Sequence, residues 1–142
     1  MRKENQNYMT DQEFEQFLQS IGGLENGNYI NRPLIVDNEV CGVGKGWYGI
    51  VKRLIEDLIE LGWNREICQI KEKFGGLRFY INEGSEDIFN RIRLAEDASY
   101  LTCEVCGEPG TPRAGGWITT LCDEHAEGRL PLDHAVYRLK ID

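Results

Sequence analysis

The sequence predicts an α+β fold in which three helices pack with one β-hairpin and a small metal-binding module closes the C-terminal end. Three observations lead there. Apolar residues recur at helical spacing over 11–21, 48–61 and 86–100. Strict apolar–polar alternation runs through 67–82 and is interrupted by Gly75-Gly76. A Cys-x-x-Cys pair, Cys103 and Cys106, stands 15 residues ahead of a Cys-x-x-His pair, Cys122 and His125.

The first helix starts at a T-x-x-E capping box, Thr10 and Glu13, in which each end satisfies an amide of the other. Phe14, Phe17, Leu18 and Ile21 then form one buried stripe, and Gly22-Gly23 supplies a left-handed stop. Residues 24–40 are rich in turn formers. Their one apolar run, Pro33 to Val36, reads as an edge strand with proline at its first position.

The second helix follows a glycine-rich stretch, Gly42, Gly44 and Gly46. The stretch fails the phosphate-loop template, because Gly46 rather than Ser or Thr follows Lys45. It reads instead as a tight structural entry to the helix, although free amides there could still hold an anion. Trp47, Ile50, Val51, Leu54, Ile55, Leu58 and Leu61 repeat at helical spacing, and Gly62 ends the run.

In the hairpin, Leu77, Phe79 and Ile81 alternate with Arg78 and Tyr80, and Gly75-Gly76 offers the positive φ angles of a tight turn. The polar face gathers Lys71, Lys73, Arg78 and Tyr80, a basic-aromatic set that is either a solvated face or a partner-binding one. Ser85 caps the third helix, and Glu86 and Asp87 complement its dipole. That helix runs almost directly into Cys103, so the chain divides into a body, 1–100, and a module, 101–142, without a flexible linker.

Cys103, Cys106, Cys122 and His125 form a closed Cys3His set of the kind that binds structural zinc, Zn(2+). A catalytic zinc keeps a position open for water, which four protein ligands deny it. Glu104 and Glu124 flank the ligands, but the H-x-E and P-C-x-x-C arrangement of a zinc deaminase is missing. The chain is therefore expected not to be an enzyme. His134 is the one other histidine and the alternative fourth ligand. Cys68 reads as a small buried hydrophobe, and Cys41 has no histidine near it in sequence.

The knuckle CEVCG, the tryptophan and the LCDEH turn resemble a treble-clef zinc finger, with a zinc ribbon differing mainly in whether 122–128 is helical. GATA-type and HNH-type fingers share the outline. The basic recognition residues of the first and the catalytic histidine pair of the second are missing, so neither function is implied. The larger pattern KEKFGGLRFY, CEVCG, GW and TLCDEHA resembles a group of small bacterial and bacteriophage proteins over about residues 46–128. That resemblance implies a bacterial or phage origin.

A formal net charge of −8, spread over both halves, disfavours nucleic acid as a default partner. No apolar run approaches the span of a bilayer and no signal peptide is visible, so a cytoplasmic protein is expected. The leading expectation is a non-enzymatic module that binds a protein partner, in a phage setting an inhibitor of a host or defence protein. Its contact could be the hairpin or the acidic surface. The alternatives are a nucleic-acid binder using the hairpin cations with Arg91 and Arg93, or a metal-dependent hydrolase or nuclease.

Overall fold

A computed structural model describes residues 9–21, 23–25, 28–30 and 41–132. The edge strand expected at 33–36 and the alternative ligand His134 lie outside the described residues.

Helix α1 spans Asp11–Ser20. The capping box forms as the sequence predicts: the Thr10 hydroxyl accepts the Glu13 amide at 3.1 Å, and the Glu13 carboxylate accepts the Thr10 amide at 3.0 Å. Phe14, Leu18 and Ile21 are buried. A short antiparallel pair follows, β1 Gly23–Glu25 and β2 Asn28–Ile30. The turn-rich composition there concealed it.

Strand β3, Cys41–Gly42, lies parallel to β4, Gln69–Lys73, which pairs antiparallel with β5, Gly76–Tyr80. Between β3 and β4 the chain makes a 3-10 turn at Lys45–Trp47 and then helix α2, Tyr48–Glu60. Helix α3, Glu86–Ser99, begins with the Ser85 hydroxyl accepting the Ile88 amide at 3.2 Å.

The core is built on α2. Trp47, Val51, Leu54, Ile55 and Leu58 are fully buried with Ile70 and Leu77, and Phe79, Ile88 and Ile92 close the same cluster. The hairpin register explains the alternation. Ile70 faces Phe79 and Glu72 faces Leu77 on the inner side, so Lys71 opposite Arg78 and Lys73 opposite Gly76 fall on the outer side.

The hairpin turn differs from the sequence expectation. Its two central residues are Phe74 and Gly75, with φ of 55° and 84°, and Gly76 is already in the strand. Two positive φ angles suit the twist of a two-residue hairpin turn. Gly76 is small for another reason: a side chain there would run into the ring of Tyr100.

The C-terminal module carries a second hairpin, β6 Thr111–Arg113 with β7 Thr119–Leu121, and a separate small buried cluster of Cys103, Cys106, Leu121 and Cys122. Residues 123–125 and 127–128 are turns. The treble-clef and zinc-ribbon outlines differ mainly over a helix at 122–128, where the chain makes turns.

Candidate metal centre

Two tight turns present the four ligand side chains. In the first, the Gly107 amide donates to the Cys103 carbonyl at 2.9 Å, and Gly107 takes a φ of 82° that favours glycine. In the second, the His125 amide donates to the Cys122 carbonyl at 3.2 Å. The β6–β7 hairpin joins the two turns, and a buried arginine braces the second. Arg113 donates to the Leu121 carbonyl at 3.0 Å, to the Arg129 carbonyl at 3.2 Å and to the exposed Asp123 carboxylate at 2.8 Å. Nothing in the sequence pattern singled it out, because a lone arginine in a loop-rich stretch looks like a surface residue.

The ligand atoms of Cys103, Cys106, Cys122 and His125 all lie within 4.8 Å of one another. The Cys106 and Cys122 sulfurs are 3.8 Å apart, and His125 Nδ1 is 3.8 Å from the Cys103 sulfur and 3.2 Å from that of Cys122. Bonds of about 2.3 Å to sulfur and about 2.0 Å to nitrogen at tetrahedral angles give edges of about 3.8 Å and about 3.5 Å. The four groups therefore fit a single four-coordinate cation. The sulfurs are buried unevenly in charge terms. Burial pushes the Cys106 thiol up to about 11. Burial also opposes ionisation of Cys122, but the backbone and ring of His125 outweigh it and bring that thiol down to about 7. A central cation favours the thiolate form of both.

No family model, curated protein or solved structure matches the chain.

Hydrogen bonds between distant residues fasten the module to the body. The Gly46 amide donates to the Glu104 carbonyl at 2.8 Å and the Gly44 amide to the Glu104 carboxylate at 2.9 Å. The indole of Trp47, fully buried, donates to the Thr102 carbonyl at 2.8 Å. The buried Thr120 hydroxyl donates to the Gly75 carbonyl in the hairpin turn at 2.6 Å. The glycine-rich stretch is thus a seat for the first ligand turn. Of the two glutamates beside the ligands, Glu104 is engaged with Gly44 and Glu124 is exposed.

The four hairpin residues singled out in the sequence do share one face. Lys71 Nζ lies 5.9 Å from the centre of the Tyr80 ring, and Lys73 Nζ lies 5.6 Å from that of Phe74. Arg78 is a fixed group. It donates to the Tyr100 hydroxyl and to the Leu77 carbonyl, each at 3.1 Å. Tyr100, which sequence reading missed, covers Gly76 on this face. The other two cations of the nucleic-acid reading are engaged on helix α3: Arg91 pairs with Asp57 at 2.7 Å, and Arg93 bonds Asn90. Cys68 is exposed, with its sulfur 3.2 Å from Asn82 Oδ1. It has the strand parity of Ile70 but stands just before β4 begins, beyond the core.

Proposed function

We propose that the chain is a zinc-stabilised, non-enzymatic module that binds a protein partner through the outer face of the β4–β5 hairpin. One observation carries the reading: the Cys3His cluster is clamped to the hairpin, with Thr120, two residues before the ligand Cys122, bonded to Gly75 at the turn. A metal held there serves to fix shape. Four protein ligands close the zinc shell, so no position is left at which a water would be activated. Zinc supplies rigidity to the module. Glu104, Trp47 and Thr120 pass that rigidity to the body.

In the bacterial or phage setting that the sequence resemblance implies, the natural target is a host protein or a defence complex. Lys71 and Lys73 are the informative probes, because Arg78 also holds Tyr100 in place. The test is capture from bacterial lysate with metal-loaded chain, comparing wild type with a Lys71→Glu, Lys73→Glu double variant of equal thermal stability. A protein captured by the first and lost by the second supports the reading. No captured protein, or equal capture by both, defeats it.

A further inference from the structure

The outer face of the hairpin is an ordered strip of rings and cations. Tyr80 and Phe74 are 40% and 45% exposed at its two ends. Tyr100 lies over Gly76 between them, and Lys71, Arg78 and Lys73 fill the gaps. Strand β5, Gly76–Tyr80, extends about 14 Å at about 3.4 Å per residue. Lys71 and Lys73 each sit against an aromatic ring and form no salt bridge among the described residues, in a chain of net charge −8. A pair of ammonium groups held on rings within an acidic protein is a local charge inversion, and it calls for an anionic counterpart.

Spacing and ring geometry select the counterpart. Lys71 and Lys73 are two residues apart on one strand, about 6.8 Å at the usual rise. Carboxylates at alternate positions of an extended peptide repeat at the same interval. A single-stranded nucleic acid also has regularly spaced anions, but it binds such faces by stacking bases on open rings. Here the Tyr80 and Phe74 rings each carry a lysine ammonium, so a base stacking there must displace it.

Resting on the protein-binding reading above, we infer that this strip docks an extended acidic peptide segment with Asp or Glu at alternate positions. Its carboxylates meet Lys71 and Lys73, and its backbone lies across Tyr100.

The experiment uses full-length, zinc-loaded chain and three labelled probes, read by fluorescence anisotropy. The first is a short peptide with glutamate at every second position. The second has the same composition with its glutamates in one block. The third is a single-stranded oligodeoxynucleotide of equal charge. The expected result is that the alternating peptide binds at least tenfold tighter than the block peptide or the oligonucleotide, and that the Lys71→Glu, Lys73→Glu variant loses at least tenfold. Lys71→Met, Lys73→Met, which keeps side-chain length without charge, should lose affinity in the same direction. Tighter binding of the oligonucleotide, equal binding of the two peptides, or no effect of either double variant overturns the inference. Should lysate capture depend on Lys71 and Lys73 while the alternating peptide fails to bind, this inference fails and the protein-binding reading stands. Lysate capture that ignores both lysines sinks the reading itself.

Discussion

Gly46 donates its amide to the Glu104 carbonyl at 2.8 Å, and a side chain at position 46 would run into the Cys103 carbonyl. The loop ahead of α2 and the first ligand turn are therefore packed backbone to backbone. Gly46→Ala should destabilise the protein by about 1–3 kcal/mol, the usual cost of forcing an extra carbon into a packed contact. It should also weaken metal retention, because the turn that presents Cys103 must shift. Denaturant unfolding and competition with a zinc chelator check the two effects. Unchanged values for both would show that the loop is not the seat of the ligand turn.

Metal removal should be felt in the body as well as in the module. One zinc per chain is expected by metal analysis. Chelation, or Cys106→Ser, should lower thermal stability substantially, since site formation and folding are coupled. Trp47 reports the coupling, because its buried indole donates to Thr102 immediately before the first ligand. Its fluorescence should change on chelation in wild type. Loss of metal with no change in stability would remove the structural role assigned to it.

The three helices, the main hairpin and the ligand set were legible because each follows a local rule. Thr10 and Glu13 cap one another three residues apart, Ile70 and Phe79 alternate with polar neighbours, and the ligand pairs have metal spacing. What was hidden depends on contacts between distant residues. Gly46 meets Glu104, Thr120 meets Gly75 across 45 positions, and Arg113 is buried among carbonyls that loop geometry alone provides. Gly76 shows the difference well. Placed beside Gly75 it looks like a turn residue, yet Tyr100 is what requires it.

That requirement is testable. Gly76→Val should displace the Tyr100 ring and release Arg78 from its hydroxyl, weakening the strip while the ligand cluster stays intact. Zinc content should remain at wild-type level and stability should fall by about 1–3 kcal/mol. Relief of the defect by Tyr100→Ala in the same chain would identify the ring as the obstacle. A double variant no more stable than the single one would contradict it.

No metal-dependent turnover is expected from a closed Cys3His shell. A panel of nucleotide, phosphodiester and peptide substrates, run with wild type and Glu124→Gln, checks this. Glu124 is exposed and beside the ligand His125, so it is the residue a hydrolytic reading would use. Turnover present in wild type and absent in the variant would mean that a ligand is misassigned and that a water occupies its place.

Glu104 gives the stability of the protein a pH dependence of unusual sign for a carboxylate. Burial raises its pKa to about 7, against the lowering effect of the Gly44 amide and with a further push from Glu72. A closed zinc shell of three thiolates and a neutral histidine carries one net negative charge and acts in the same direction. The unfolded chain ionises this group near 4.5. Between about 4.5 and 7 the folded protein therefore holds a proton that the unfolded chain has lost. The contribution of Glu104 is consequently present at low pH and is lost as pH rises through about 7. Zinc binding has the opposite dependence, because its thiols must lose protons. The two are separated by comparing metal-saturated wild type with Glu104→Gln, in which only the carboxyl titration is removed and an oxygen remains to accept the Gly44 amide. The stability of the variant relative to wild type should rise between pH 5 and pH 8, by no more than about 3 kcal/mol. A constant difference over that range would mean that Glu104 is charged throughout, and that its contact with Gly44 offsets the cost of burying it.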